Sequence, residues 1–284
     1  MSETRATDEK AIRAFLGDVV FDMMPSGGFE GALGALPEGA TIAVTLVPDM
    51  GIWPTVERTE TAAARGFDVV PHVAARFIED RAELADVATR LEAAGVTDIF
   101  VPGGDRDEPV GEFSSAYELL VAIEELGHDF AEVGIAGYPT GHEVIDDATL
   151  AEAMANKAPH ATYIATQLTL DPTAIVEWIE GIRDRGVDLP VEVGIPGVMD
   201  YLRLLKLAWE WGVADPLRFV RKTMGIAEFV RTLVGSGGRY TPDEMVDVLA
   251  PYHDDEWYDF RRTRLYTFNQ TDDTEAWRQR YPGA

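Results

Sequence analysis

Short apolar runs, most of them rich in Val, Ile or Thr and ending at Pro or Gly, alternate with longer amphipathic stretches along the whole chain. The strand-like runs are Val19–Met23, Thr41–Val47, Asp68–Ala74, Asp98–Val101, Val133–Tyr138, Tyr163–Leu168, Val191–Ile195 and Leu265–Phe268. Helix-like stretches cover Arg81–Ala94, Ser114–Leu126, Ala148–Asn156, Pro172–Asp184 and the long region 198–249. Asp171-Pro172 reads as an N-cap followed by proline in the first turn, and Thr241-Pro242 repeats that logic. Continuous apolar strands are what a parallel sheet covered by helices requires. Eight such units in 284 residues predict an α/β fold, a (β/α)8 TIM barrel in a single domain. A leading helix is expected over 1–17 and a helical insertion over 201–262, before the last strand. A doubly wound sheet is the alternative architecture.

Charge narrows the partners. Asp and Glu number 50 against 24 Lys and Arg, a formal net charge of −26, which argues against nucleic acid and anionic membrane surfaces. The chain has no cysteine, so disulfides, iron–sulfur clusters and thiolate zinc sites are excluded. No apolar run approaches the roughly 20 residues of a membrane span, and the opening MSETRATDEK does not read as a signal peptide, so a cytoplasmic location is expected. Only Lys10, Lys157, Lys206 and Lys222 are lysines. An acidic, Lys-poor surface suits a salt-rich cytoplasm; codon bias with ordinary solubility explains it equally well.

In a barrel of this kind chemistry sits at the C-terminal ends of the strands. Polar residues collect there: Asp22 in the first strand, Thr45 in the second and His72 in the third. The fourth runs into Gly103-Gly104-Asp105 and the fifth into Tyr138-Pro139-Thr140-Gly141-His142. Gln167 lies in the sixth, and Tyr266 and Asn269 belong to the last strand and its exit. Polar groups in buried strands need partners or a ligand. Each also has a structural reading: Asp22 as a hydrogen-bonded strand carboxylate, Asp105 as a turn former, Lys157 as a helix-end lysine. Gly235-Ser236-Gly237-Gly238 lacks the Lys-Ser/Thr of a phosphate loop, and the acidic cluster over 253–259 lacks metal-ligand spacing.

The ordered set of exits resembles the methylenetetrahydrofolate reductase family. Phe21-Asp22-Met23-Met24-Pro25 is similar to its first-strand motif, where Glu stands in place of Asp22. Pro71-His72 resembles the third-strand Pro-His, and Gly103-Gly104-Asp105, with Asp105 33 residues past His72, resembles its Arg-Gly-Asp. Gly137-Tyr138-Pro139-Thr140-Gly141-His142, Thr166-Gln167-Leu168 with Asp171, and Tyr266-Thr267-Phe268-Asn269 resemble the fifth, sixth and last strands. The motifs span residues 20 to 270 in order.

The resemblance implies reduction of 5,10-methylenetetrahydrofolate to 5-methyltetrahydrofolate, with hydride passing from NAD(P)H through FAD. It implies Asp22 as proton donor and Asp105 as the carboxylate that holds the folate ring and tunes the flavin. Gln167, Thr45, Tyr266 and Asn269 are assigned to substrate. His72, Gly104, Asp105 and Ala116 are assigned to the flavin, as are Tyr138, His142 and Lys157. Family members are commonly homo-oligomers. Besides Asp22, four positions depart from the family pattern: Gly103 and Asn156 replace arginines, Leu150 a ribityl-binding Asp, and Gln270 the Arg after the last-strand Asn. Fewer cations face a diphosphate, so FMN, direct hydride transfer from NAD(P)H without flavin, and a non-catalytic folate-binding barrel stay open.

Overall fold

The computed structural model describes residues 2–201, 203, 206 and 238–281, with side chains from residue 9 onward. Eight parallel strands form one sheet: β1 (Val19–Met23), β2 (Thr41–Val44), β3 (Asp68–Pro71), β4 (Asp98–Val101), β5 (Glu132–Gly137), β6 (Tyr163–Thr166), β7 (Val191–Pro196) and β8 (Phe260–Tyr266). Their order is β3-β2-β1-β8-β7-β6-β5-β4, and a parallel bridge between His72 and Phe100 joins the two ends into a (β/α)8 barrel. That seam carries its bridge just past the end of β3. Below it the N-terminal halves of β3 and β4 border a cavity of about 330 Å³, lined among others by Asp68, Asp98, Glu132, Arg261 and Arg262.

Helices cover the barrel: α1 (Ser2–Gly17), α2 (Phe29–Leu33), α3 (Trp53–Ala63), α4 (Arg81–Ala93), α5 (Ala116–Leu126), α6 (Asp147–Lys157), α7 (Pro172–Asp184), α8 (Asp243–Leu249) and α9 (Thr271–Arg278). The leading helix runs as expected, whereas α2 and α3 were not among the helix-like stretches of the sequence. Asp171 caps α7 through the backbone N–H groups of Thr173 and Ala174, with Pro172 at the first position. The parallel expectation at Thr241 is corrected. Helix α8 begins at Asp243, and the Thr241 hydroxyl donates to the Asp243 carboxylate instead of capping backbone. Most of the expected insertion over 201–262 lies outside the described residues. An antiparallel ribbon of Met199–Asp200 with Arg239–Tyr240 brackets residues 201–238 of it in sequence.

Side chains alternate across each strand. Phe21, Ile42, Ile99, Ile135, Ile164 and Val193 face the helices and join the large outer core. Val20, Ala43, Val70, Phe100, Ala136, Tyr163 and Ala165 form a separate small cluster inside the barrel. The last strand required the main correction. It begins at Phe260, five residues before the apolar run that marks it in sequence, because its inward positions are Arg262 and Arg264 and not aliphatic.

Gly134 makes room for this interior. A Cβ there would lie 2.3 Å from the Tyr163 ring, which is held by a 2.9 Å hydrogen bond to Asp98 and lies under the Arg261 guanidinium at 4.1 Å. Gly134→Ala is therefore expected to lower unfolding free energy by about 1–3 kcal/mol, as overpacking does. Denaturant melts of both proteins check this, and an unchanged midpoint contradicts it.

Candidate functional site

A ladder of paired charges runs through the barrel. Glu192, fully buried on β7, accepts from Arg264 Nη2 at 2.7 Å and Nε at 3.1 Å through one oxygen. Its other oxygen accepts from Arg262 Nε at 2.6 Å. Arg262 continues to Asp98 at 2.7 Å, and Arg261 bridges Asp98 at 3.3 Å and Glu132 at 3.0 Å. Burial alone would raise the Glu192 pKa, but the charges of Arg264 and Arg262 outweigh it and hold the carboxyl below its ordinary value. Asp98 is pushed upward, first by burial and then by the Glu192 charge. Removing one member of such a pair strands a buried charge, at a cost of about 3–5 kcal/mol.

The ladder ends at the C-terminal mouth. Arg264 Nη1 donates to Asp22 Oδ2 at 3.1 Å and stands 3.2 Å from His72 Nε2. The same Asp22 oxygen lies 3.6 Å from His72 Nε2, outside hydrogen-bonding distance. Asp22 is only 4% exposed, and its Oδ1 makes no hydrogen bond among the described residues. Burial lowers the His72 pKa more than the Asp22 charge restores it, so the ring is neutral. Thr45 is buried and its hydroxyl has no hydrogen-bond partner among the described residues, leaving a donor and an acceptor for a ligand.

Tyr266 crosses the mouth from β8 to β6, where its hydroxyl donates to the Thr166 carbonyl at 2.7 Å. Gly194 on β7 lets it pass: a Cβ would lie 2.6 Å from the Tyr266 ring and 2.5 Å from the Thr166 carbonyl. The Thr166 hydroxyl in turn accepts from the Gly194 N–H at 2.8 Å. Burial and then the Asp22 charge keep the Tyr266 phenol protonated. Tyr138 behaves similarly, pushed up to about 12 by burial and then by the Asp105 charge. Gln167, just past the end of β6, is half-buried; its N–H donates to the Gly137 carbonyl at 2.7 Å and its Oε1 accepts from the Leu168 N–H at 3.3 Å.

The rim holds the other expected residues in less convergent roles. Gly104 adopts φ +98°, and a Cβ there would press the Phe77 ring at 3.0 Å, so only glycine suits the turn. Asp105 beside it is exposed. Ala116 opens α5 behind the Ser115/Glu118 capping box. His142 packs edge-on to Tyr138 at 5.3 Å, and its Nδ1 accepts from the Val144 and Ile145 N–H groups at 3.2 and 3.3 Å. The Asn269 amide is occupied: Oδ1 accepts from Met24 N–H at 2.9 Å and Nδ2 donates to Met24 carbonyl at 3.0 Å, tying the exits of β8 and β1. Gln270, with its amide oriented to accept, takes hydrogen bonds from Arg203. Lys157 is 8% exposed, and among the described residues its ammonium meets only the Ala136 carbonyl, at 3.3 Å.

A family model described as methylenetetrahydrofolate reductase matches residues 55–228, more than half of the chain. The chain belongs to the methylenetetrahydrofolate reductase family. Methylenetetrahydrofolate reductase 1 of Schizosaccharomyces pombe is 26% identical over 159 residues, 55% of this chain and 22% of that protein. Methylenetetrahydrofolate reductase 2 of Saccharomyces cerevisiae is 28% identical over 114 residues, 38% of this chain and 19% of that one. A probable methylenetetrahydrofolate reductase (NADPH) of Caenorhabditis elegans is 25% identical over 189 residues, 61% and 28% of the two chains. The matched stretches thus span less than a third of these relatives' length. His72, Gly104, Asp105, Tyr138, Lys157 and Gln167 lie within the family match, whereas Asp22, Thr45, Tyr266 and Asn269 lie outside it. No helix among the described residues is long and apolar enough to cross a membrane.

Glu192, Arg262 and Arg264 had no place among the residues expected from sequence. Glu192 did carry a signal, as one charge inside the otherwise apolar run Val191–Pro196, whereas Arg262 and Arg264 sit among Arg261 and Thr263 and read as surface.

Lys157 gives a pH-dependent prediction. Burial pulls its pKa from 10.5 to about 8, so between those values the unfolded chain binds the extra proton and stability rises with pH. Below about pH 8 the full penalty applies. Lys157→Met should therefore be more stable than wild type at pH 7, by on the order of 2–3 kcal/mol, with the difference fading toward pH 10.5. Chemical melts across pH check it, and a wild type more stable at pH 7 contradicts it.

Proposed function

We propose that this chain reduces 5,10-methylenetetrahydrofolate to 5-methyltetrahydrofolate at the C-terminal mouth of its barrel, with a reduced nicotinamide as hydride source. The observation that carries the reading is Asp22: a buried carboxylate at the C-terminal end of β1, one oxygen committed to Arg264, the other without a hydrogen bond among the described residues. Family membership supplies the reaction class.

The chemistry requires a proton and a hydride. Opening the methylene bridge breaks one C–N bond, the departing nitrogen takes a proton, and the remaining iminium carbon accepts hydride to become the methyl group. The open Asp22 Oδ1 takes a proton from solvent and passes it to the departing nitrogen, returning to the carboxylate paired with Arg264. The Thr45 hydroxyl and the Gln167 amide offer donors and acceptors to a pterin edge. Tyr266 is held rigid by Thr166 and forms an apolar wall with a fixed polar tip. Asn269 supports Asp22 indirectly, by pinning the chain just after β1.

The residues present also fit a flavin. Lys157 is a buried ammonium short of partners, suited to an anionic group such as a diphosphate, and Gly104 offers a surface that a side chain would obstruct. When bound, the flavin supplies the relay that takes hydride from the nicotinamide and gives it to the folate. His72 and His142 present neutral or accepting ring nitrogens, and the Asp105 carboxylate near Tyr138 disfavours additional negative charge at the rim. A second reading, direct transfer from NAD(P)H, is favoured by the arginine-to-Gly103 and arginine-to-Asn156 departures, which leave Lys157 with fewer cations beside it. The acidic, cysteine-free chain suits work in the cytoplasm.

Asp22→Asn tests the assignment. Turnover of methylenetetrahydrofolate should fall by about 10²–10⁴, the usual worth of a positioned general acid, while folate binding persists. Reduction of any bound flavin by nicotinamide should be retained. Unchanged turnover removes Asp22 from the proton-donor role. Flavin absorbance in the purified protein separates the relay from direct transfer, and a protein that binds folate but never turns it over contradicts the enzyme reading.

A further inference from the structure

We propose that Arg264, anchored by Glu192, is a positioning residue that fixes the Asp22 carboxylate and the His72 tautomer with a single nitrogen. The inference rests on the functional reading above for its kinetic consequence, and on geometry alone for its structural one.

Arg264 is 1% exposed and its guanidinium lies 5.0 Å from the Phe100 ring centre. The Nε and Nη2 edge is spent on one Glu192 oxygen, at 3.1 and 2.7 Å. The other edge, Nη1, carries two hydrogens and faces two acceptors: Asp22 Oδ2 at 3.1 Å and His72 Nε2 at 3.2 Å. A guanidinium has five donors and no acceptor, so a hydrogen bond along this 3.2 Å contact requires His72 Nε2 to accept. The ring is neutral because burial outweighs the neighbouring carboxylate. Its one proton therefore sits on Nδ1, and no proton lies between His72 and Asp22. This fits their 3.6 Å separation.

Asp22 is thereby held by one oxygen only. Oδ2 is locked, and Oδ1 is left as the oxygen free to carry a proton to a ligand. A side chain as short as Asp gains reach only from exact placement, and a misplacement of about 1 Å in a reacting group can cost about 10²-fold in rate. A lysine at this position would keep the charge and lose the planar fork that serves Glu192, Asp22 and His72 together. Glu192 also pairs with Arg262, so Glu192→Gln loosens the anchor while leaving the second guanidinium to satisfy the amide oxygen.

Arg264→Lys and Glu192→Gln are compared with wild type by histidine-side-chain 15N NMR, with the His72 signal assigned from His72→Asn. Thermal melts establish folding, and steady-state kinetics use methylenetetrahydrofolate. Wild type should show His72 as the Nδ1–H tautomer. The variants should show a growing Nε2–H population as the ring turns its proton toward Asp22, with kcat lower by about 10–100-fold and KM for folate within about threefold. If Arg264→Lys does not fold, the same readouts on Glu192→Gln decide. An Nε2–H tautomer in wild type overturns the proposal, as does a folded variant with unchanged tautomer or unchanged kcat. The tautomer is read without turnover, so a wild type inert toward methylenetetrahydrofolate defeats the functional reading while this geometry is still judged by its spectrum.

Discussion

The pairing of Arg264 with Glu192 is the interaction on which the barrel interior depends. Both side chains are essentially inaccessible, and each would be prohibitively costly to bury alone. Together they leave few loose ends: one Glu192 oxygen takes two donors from Arg264, the other takes Arg262, and Arg264 spends its last edge on Asp22 and His72. A barrel whose inner cluster sets the small Val20, Ala43, Val70, Ala136 and Ala165 beside Phe100 and Tyr163 has room for two large guanidinium-bearing chains. The small residues and the charged ones are one arrangement. Replacing either set alone would leave a void or a clash.

The two mouths differ in what they leave open. At the N-terminal side the guanidiniums of Arg261 and Arg262 are matched by Asp98, Glu132 and Glu192, so both cations lining the cavity there are already paired within the protein. At the C-terminal side Asp22 Oδ1, the Thr45 hydroxyl and the Lys157 ammonium have unused capacity. Unspent polar groups in a buried mouth are where binding free energy for a polar ligand can come from. Tyr266 belongs to both descriptions: its ring closes the mouth, and its bond to Thr166 stitches β8 to β6 across Gly194.

Much of the architecture was legible because helix-covered strands must be apolar and end at Pro or Gly. Strands β1 and β4 begin and end where the apolar runs do, and Asp171 caps α7 as its sequence demands. Strand β8 was legible only in its second half, since the ladder replaces aliphatic residues at Arg262 and Arg264 with charges that imitate a surface. The candidate site is legible as a set of polar strand exits, with Asp22, Thr45, His72 and Tyr266 at the C-terminal ends of their strands. Asn269 illustrates the limit. Its position at an exit is visible in sequence, but that both ends of its amide are consumed by the Met24 backbone follows only from the three-dimensional path of the chain. Arg264 illustrates the converse: a charge in a strand reads as a defect until its partners 72 and 242 residues away are known.

The central claim is that this mouth adds hydride to the methylene carbon of a reduced folate. Its most direct test is the mass of the product formed from 5,10-methylenetetrahydrofolate, in buffered salt solution, with nicotinamide deuterated at the transferable C4 position. The account predicts 5-methyltetrahydrofolate as product, with deuterium retained in the methyl group for direct transfer and diluted by solvent hydrogen when a flavin intervenes. Consumption of neither substrate by a folded protein that binds the folate, with no methyl product of any mass, would contradict it.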